Sequence, residues 1–203
     1  GMKNREEARQ SGKKWFPYNK GGEFRKWYGN QEYVVNWEND GQEIRNIVDE
    51  KGKLRSRPQN TDYYFRESVS WSRISSGVIA MRRYPTGMVF DCASCCFFHN
   101  SLEVTTLIAS IINSSLSVTL LSILAPTLTF QLGDVEKVPL PTKEITSYKL
   151  TETLYVYAQQ DWDSYETSWD FQQLPLIQVT GDRFQVSVKE AYAKLREQWI
   201  EST

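Results

Sequence analysis

Residues 71–98, WSRISSGVIAMRRYPTGMVFDCASCCFF, decide the class of fold, since they combine β-branched and aromatic residues with turn residues. Within this stretch we predict four strands, at residues 71–75, 78–82, 88–91 and 93–98. The tetrapeptide Tyr84-Pro85-Thr86-Gly87 has proline at its second position and glycine at its fourth, as type I turns prefer. The pattern therefore predicts a β-hairpin around this tetrapeptide.

Helical patterns lie on both sides of this β-rich stretch. They have apolar residues at helical spacing or form apolar runs of helical length. We predict helices at residues 40–50, 102–113, 116–124, 143–160 and 187–201, and a further strand at residues 33–37. The sequence therefore predicts an α+β fold that becomes helical in character after residue 142.

Residues 104–125, VTTLIASIINSSLSVTLLSILA, are long enough in principle to cross a bilayer, since residues 104–133 contain no charge. Nine of these 22 residues are Ser, Thr or Asn, however. Two buried helices broken near Asn113 can satisfy such groups on backbone carbonyls, whereas hydrocarbon cannot. We therefore predict two helices of a soluble protein with no membrane partner.

Composition and charge narrow the possible function classes. A chain of 203 residues with 13% aromatic residues can build a core, which excludes disorder and collagen, and three crowded cysteines exclude a disulfide scaffold. Few cysteines and a polar N terminus predict a cytoplasmic protein. Residues 1–85 carry a net charge of +6 and residues 86–203 a net charge of −7. This asymmetry indicates a polyanion partner or, alternatively, a solvated charged surface.

No catalytic motif is recognisable in the sequence. His99 is the single histidine, no nucleotide-binding or metalloprotease string occurs, and no two prolines are adjacent, as the amino-methyltransferase tetrapeptide requires. Cys92, Cys95, Cys96 and His99 are zinc-ligand types. Structural zinc sites join two separated ligand pairs, so we favour buried thiols here. We therefore predict no catalytic residue, metal or cofactor in this chain.

Recognition is the remaining function, and two sets of side chains are candidates for it. Forked donors and acceptors of Arg, Gln and Asn match guanine and adenine edges in the major groove, and lysine and arginine bind phosphates. The candidate base-reading residues are Arg55, Arg57, Gln59, Asn60, Arg82 and Arg83. The candidate phosphate-binding residues are Lys13, Lys14, Lys20, Arg25, Lys26 and Arg73. Their joint placement in the basic half of the chain supports both sets.

The N-terminal aromatic residues have two interpretations. Trp15, Tyr18, Trp27 and Tyr28 could stack on bases, as in single-strand binding proteins. Clusters of Trp and Tyr separated by turn residues are more often core or interdomain contacts. We favour the second interpretation.

Several long strings of this sequence resemble one family. They are KWFPYNKGGEFRKWYGNQEYVVNWENDG (14–41), LRSRPQNTDYYF (54–65), WSRISSGVIAMRRYPTGMVFD (71–91), FQLGDVEKVPLP (130–141) and DWDSYETSWDFQQLPLI (161–177). They are similar to the part that follows the methyltransferase domain in PglX-like adenine methyltransferases of BREX phage defence and in type IIG restriction-modification enzymes. The order of helix, Asn-Ser, strand and VPLP is also similar to the half-repeats of type I specificity subunits.

This resemblance implies a non-catalytic target-recognition domain that reads double-stranded DNA. Residues 1–142 would form this domain on a twisted, barrel-like antiparallel sheet with packed helices, and residues 143–203 a helical segment leading to a longer spacer. In the family, an upstream domain of the same chain binds S-adenosylmethionine and methylates N6 of a flipped adenine. The cofactor-binding and NPPY-like motifs of that domain lie outside this sequence. DNA and the parent methyltransferase domain are thus the implied partners.

A protein-interaction module is the alternative function. The aromatic N-terminal segment and the acidic string DWDSYETSWDF could dock methyltransferase domains or other defence-system subunits. Gly1 before Met2 is typical of a cloning scar, so we expect an excised piece of a longer protein.

Overall fold

The computed structural model describes residues 2–75, 77–141, 148–180 and 186–201, and these residues adopt an α+β fold, as predicted. The strands are β1 (Trp15–Asn19), β2 (Tyr33–Asn36), β3 (Ser68–Ser72), β4 (Met81–Tyr84), β5 (Val89–Phe90) and β6 (Ser94–Phe97). They form two three-stranded sheets, ordered β2-β1-β5 and β4-β3-β6. Over the described residues, therefore, the strands do not close into a barrel.

Helices surround these two sheets. In chain order they are α1 (Arg5–Gln10), α2 (Glu38–Arg45), α3 (Leu102–Asn113), α4 (Ser115–Leu124), α5 (Leu132–Val135), α6 (Tyr148–Asp163), α7 (Pro175–Thr180) and α8 (Val188–Glu201). A single 3₁₀ turn spans Thr61–Tyr63. The helices predicted at residues 102–113 and 116–124 are confirmed.

The first sheet is completed by a strand that is distant in sequence. β1 pairs antiparallel with β2, placing Phe16 opposite Val35, and parallel with β5, placing Tyr18 opposite Val89. Phe16 is buried and its ring lies edge-on to Phe65, with the centroids 5.4 Å apart. This edge-to-face geometry is favourable for aromatic pairs and anchors the first core.

The second sheet has β3 at its centre, and every residue of β3 is buried. Val69 and Trp71 pack with Met81 and with Ala109 of α3 in the second core. The Trp71 indole Nε1 donates a hydrogen bond to the Phe130 carbonyl oxygen at 3.0 Å. The polar atom of this buried tryptophan is therefore satisfied within the core.

A polar seam joins the two sheets; it consists of Asn19, Ser70, Ser72, Arg82 and Ser94, all of them buried. Asn19 of the first sheet donates to the Ser70 hydroxyl of the second at 2.9 Å. The Ser94 hydroxyl donates to the Asn19 carbonyl oxygen at 3.1 Å. Hydrogen bonds made by buried side chains thus replace apolar packing where the sheets meet.

A serine side chain caps the N terminus of α3, and another caps the N terminus of α4. Ser101 caps α3 by accepting from Val104 N, and Ser114 caps α4 by accepting from Ser117 N. The Asn113 amide, between these helices, bonds Met81 N at 2.8 Å and Met81 O at 3.0 Å. Within the described ranges, no single helix could span a membrane; α3 and α4 pass that test only together, bent by 68°.

Helix α6 packs against the preceding residues. The Ser110 and Thr151 hydroxyls are 2.7 Å apart between α3 and α6, and the Trp27 and Tyr155 rings pack edge-to-face at 5.7 Å. The predicted start of this helix at residue 143, and with it the predicted domain boundary after residue 142, lies outside the described residues.

The predicted β-hairpin is wrong, although a turn forms at Thr86 and Gly87. β4 pairs with β3 and β5 pairs with β1, so the strands that flank the turn belong to different sheets. Gly87 N donates to the Phe65 carbonyl oxygen at 2.9 Å, and Phe65 N donates to the Met88 carbonyl oxygen at 2.8 Å. The turn is therefore held by a distant segment.

The helix predicted at residues 40–50 is also misplaced, because α2 ends at Arg45. Its first turn contains three consecutive residues of positive φ, Asn39, Asp40 and Gly41. A Cβ at Gly41 would lie 2.7 Å from the Trp37 ring, so both the conformation and the close approach favour glycine. Beyond α2, Val48 pairs with Leu54 in a β-bridge instead of continuing the helix.

Candidate functional site

An open cleft of about 870 Å³ lies where the two sheets meet the loop of residues 55–60. Tyr18 of β1 and Val89 of β5 line it from the first sheet, and Cys95 of β6 lines it from the second. Because both sheets and the loop contribute, the cleft collects residues that are far apart in the sequence.

Local backbone contacts fix the path of the loop. Asp49 accepts hydrogen bonds from Lys51 N and Lys53 N, each at 2.9 Å, which closes a tight turn. The returning chain is fixed at Arg55, whose backbone N donates to the Ile47 carbonyl oxygen at 2.8 Å. The loop then ends at Asn60, which has a left-handed backbone before the 3₁₀ turn. These contacts place residues 55–60 at the cleft.

The structure brings five predicted residues together at this cleft, all of them exposed: Arg55, Arg57, Gln59, Asn60 and Arg73. Their three guanidinium groups form no ion pair with any residue that the structure describes. By contrast, Arg5, Arg25, Arg45 and Arg83 each pair with a carboxylate. The cleft therefore carries three arginine side chains that have no ion-pair partner among the described residues.

Arg82 must be removed from the candidate base-reading residues, because its side chain is fully buried in the polar seam. Its guanidinium donates to the Ser72 hydroxyl at 2.9 Å, the Tyr84 hydroxyl at 3.2 Å and the Arg25 carbonyl oxygen at 3.1 Å. A guanidinium committed to internal acceptors cannot reach a base edge. Arg82 has a structural role in this fold.

Three further predicted residues also make internal contacts. Arg83 pairs with Glu67 at 2.6 Å. Arg25 pairs with Asp161 of α6 at 2.7 Å. Lys26 donates to the Asn113 carbonyl oxygen at 2.7 Å. Lys26 thus contacts α3 and Arg25 contacts α6, and Arg83 also lies 3.6 Å from Glu152 of α6. None of the three lines the cleft.

The remaining predicted lysines are exposed, and none of them is among the described residues that line the cleft. Lys20 lies over the Tyr33 ring at 4.8 Å, and Lys14 lies over the Trp15 ring at 5.7 Å. Such cation–π contacts are weak at exposed sites, so these ammonium groups stay available to an anion. Lys13 is exposed beside them.

Five aromatic rings form a continuous series along the cleft, which the sequence reasoning missed. The centroid distances are 4.9 Å from Trp37 to Tyr64, 4.8 Å from Tyr64 to Phe90, 5.5 Å from Phe90 to Phe98 and 5.1 Å from Phe98 to Tyr63. All five rings line the cleft. They come from four separate segments, so no local pattern could have predicted the series.

One carboxylate also lines the cleft. The Tyr18 hydroxyl donates to Asp91 Oδ2 at 2.6 Å, and Ala93 N donates to Asp91 Oδ1 at 2.7 Å. Burial, followed by the hydrogen bond to Asp91, raises the pKa of Tyr18 above its ordinary value. Tyr18 therefore remains protonated at neutral pH, and its hydrogen bond fixes the position of the Asp91 side chain. Tyr18 is half-buried at the cleft rather than wholly within the core.

The thiols are poor candidates for chemistry. Burial raises the pKa of Cys96 to about 11 and also raises the pKa of Cys95. A thiol that is protonated at neutral pH is a weak nucleophile and a weak metal ligand. Cys92 is exposed, and Cys95 and Cys96 are partly buried, so the prediction of buried thiols is wrong for Cys92. Within the part of the chain that the structure describes, no cluster of three or more His, Cys, Asp or Glu residues could hold a metal ion.

Two curated proteins that are similar to this segment are named adenine-specific methyltransferases. The chain is 43% identical over 161 residues to the adenine-specific methyltransferase PglX of Lacticaseibacillus casei (strain Zhang), a match that covers 78% of this chain. It is 38% identical over 172 residues to the adenine-specific methyltransferase BrxX of Escherichia coli O9:H4 (strain HS), covering 83% of this chain. The two matches cover only 13% and 14% of those relatives. No protein-family model matches the chain.

Proposed function

We propose that this chain recognises the sequence of double-stranded DNA on behalf of an N6-adenine methyltransferase involved in BREX phage defence or restriction-modification. The observation that carries the proposal is the group of three arginines at one cleft, beside Gln59 and Asn60, that pair with no carboxylate of the described residues. The relatives named adenine-specific methyltransferases supply the chemical context. The proposed role is analogous to that of one half-repeat of a type I specificity subunit.

Recognition divides into two parts in this proposal. The exposed Lys13, Lys14 and Lys20 neutralise phosphates, which gives affinity that depends on salt and not on sequence. Arg55 and Arg57, with the neighbouring amides, contact base edges in the major groove, where each good bidentate pair contributes roughly 1 to 3 kcal/mol of discrimination. Binding of S-adenosylmethionine and methyl transfer belong to another domain of the parent chain.

The test is methylome sequencing of cells that express the complete methyltransferase containing this segment. We compare the wild type with the triple variant Arg55→Ala/Arg57→Ala/Arg73→Ala. The proposal expects the methylated motif to be lost or relaxed at one or more positions, because the variant removes the base contacts of Arg55 and Arg57 and the neighbouring charge of Arg73.

A matched control removes the same kind of charge elsewhere. Arg9 of α1 and Arg196 of α8 are exposed and do not line the cleft. The variant Arg9→Ala/Arg196→Ala is expected to keep the wild-type motif. If the cleft variant also methylates the wild-type motif at the wild-type level, sequence recognition lies elsewhere and the proposal is rejected.

A protein-interaction module is the second candidate function. The observation that favours it is the exposure of Tyr165 and Trp169, at 53% and 54%, in the acidic segment that follows α6. Exposed aromatic side chains are typical interface anchors. Under this alternative, Trp169→Ala weakens association with the parent methyltransferase domain, and the cleft variant leaves the methylated motif unchanged.

A further inference from the structure

We infer that the cleft binds one unstacked nucleotide, with its base against Tyr63 and Phe98 and its phosphate at Arg55 and Arg57. The nucleotide has two possible sources, a free mononucleotide or an unpaired position in a DNA strand. For the second source, the inference rests on the proposed function and refines it. At the unpaired position Arg55 and Arg57 contact the phosphate, and the neighbouring amides of Gln59 and Asn60 contact base edges.

The Tyr63 and Phe98 rings are held in place and Tyr63 remains partly exposed. Tyr63 keeps 45% of its surface exposed, although its ring packs against the Phe98 ring. Arg66 lies over Tyr63 at 5.2 Å and over Phe98 at 5.7 Å, and it donates to Asn100 at 3.2 Å. Arg66 does not line the cleft, so it supports the rings without occupying the space beside them. Rings that are already fixed lose little entropy when a base stacks on them.

The cleft is lined by arginine side chains and by one carboxylate. The guanidinium groups of Arg55 and Arg57 have no carboxylate partner in the described residues, and planar forked donors of this kind suit a phosphate. The Asp91 carboxylate repels a phosphate but can accept a hydrogen bond from an exocyclic amino group. The cleft thus offers an aromatic surface, an anion site and an acceptor for an amino-bearing base.

The volume of the cleft suits a single nucleotide. A volume of about 870 Å³ is within the range of clefts that hold single small ligands. A double helix cannot enter such a space, whereas one extruded nucleotide can. Aromatic stacking is the usual way in which proteins hold unpaired bases, and it tolerates different sequences because every base has a π face.

The experiment measures equilibrium binding of the 203-residue chain to four probes by fluorescence anisotropy or competition. Two probes are identical duplexes, one fully paired and one with a single unpaired adenosine in one strand. The third is the corresponding single strand, and the fourth is adenosine monophosphate. We expect the duplex with the unpaired nucleotide to bind roughly tenfold more tightly than the paired duplex, as stacking of one base implies.

Three variants assign this preference to the cleft. Tyr63→Ala removes the exposed ring and is expected to abolish the tenfold preference, whereas Tyr63→Phe retains the ring and should restore it. Tyr165→Ala removes a tyrosine of similar exposure that does not line the cleft, so the preference should remain.

The outcomes separate this inference from the proposed function. Equal affinity for the paired and unpaired duplexes, unaffected by Tyr63→Ala, overturns the inference and leaves duplex recognition standing. Binding of adenosine monophosphate alone, lost in Tyr63→Ala, supports the nucleotide site and counts against DNA as its source. Absence of binding to all four probes overturns the inference.

Discussion

The polar seam and the cleft use arginine in opposite ways. In the seam, Arg82 is fully buried and its guanidinium is surrounded by hydroxyl and carbonyl oxygens of the protein. At the cleft, Arg55 and Arg57 are exposed and pair with no carboxylate of the described residues. The difference teaches that arginine on its own indicates neither binding nor stability, because its acceptors decide its role. An arginine that donates to acceptors inside the protein has a structural role. An arginine without such acceptors can bind a ligand.

The largest predicted effect on stability is at Arg82, the buried arginine of this comparison. Arg82→Ala removes donors from the Ser72 and Tyr84 hydroxyls and the Arg25 carbonyl oxygen and leaves a cavity, so we expect a loss of about 3 kcal/mol in the free energy of unfolding. Arg82→Lys should recover little of this loss, since one ammonium cannot reproduce the forked geometry. Urea denaturation of both variants measures the effect. A stability equal to that of the wild type would contradict the structural role of Arg82.

An intermediate effect is expected where arginine meets a carboxylate. Arg5 Nε donates to Asp40 Oδ1 at 2.9 Å, and this hydrogen bond lowers the pKa of Asp40 below its ordinary value. The folded protein then binds fewer protons than the unfolded chain. The contribution of Asp40 to stability is therefore present above about pH 4 and is lost as the pH falls through the pKa of the folded state.

Asp40→Asn should accordingly lower the free energy of unfolding by about 1 kcal/mol at pH 7 and flatten its dependence on pH below 4. The matched control is Asp62→Asn. Asp62 pairs with the same arginine, but its side chain is 87% exposed, so its removal should matter less. Denaturation at a series of pH values compares the two variants. An equal or greater loss in Asp62→Asn would refute this ranking.

The smallest effect on stability is expected at the cleft. Arg55→Ala removes a solvated side chain and should change the free energy of unfolding by less than about 0.5 kcal/mol. If Arg55 contacts a phosphate, the slope of log K against log salt for duplex binding should fall by about 1; a base contact instead weakens discrimination. Thermal or chemical denaturation and salt titrations separate these results. A large loss of stability would place Arg55 with Arg82 and remove the contrast.

The parts of the fold that local chemistry governs could be predicted from the sequence. Ser101 and Ser114 precede apolar runs as N-caps, and α3 and α4 begin directly after them. The turn after Pro85 was equally visible, because proline and glycine restrict the backbone locally. The pairing of the strands on either side was not visible. Hydrogen bonds from Phe65 and from β1 direct it, and neither is near in sequence.

At the candidate site, too, features set by neighbouring residues could be predicted and features set by distant residues could not. The forked side chains of residues 55–60 could be found because they are neighbours in a polar loop. Arg82 and Arg83 looked equivalent, but adjacent strand residues point to opposite faces, so one entered the seam and the other met Glu67. The aromatic series along the cleft required tertiary structure, since residues 37, 63, 64, 90 and 98 carry no common period.

The parallel pairing of β1 with β5 has a consequence for synthesis on the ribosome. β1 and β2 can meet early, but two strands alone are marginally stable in water. Translation from Asn36 to Phe90 takes roughly 3 to 11 s at the usual 5 to 20 residues per second. For that interval the free edge of β1 is open to pairing with another nascent chain. The N-terminal strands are therefore open to such pairing until β5 is complete.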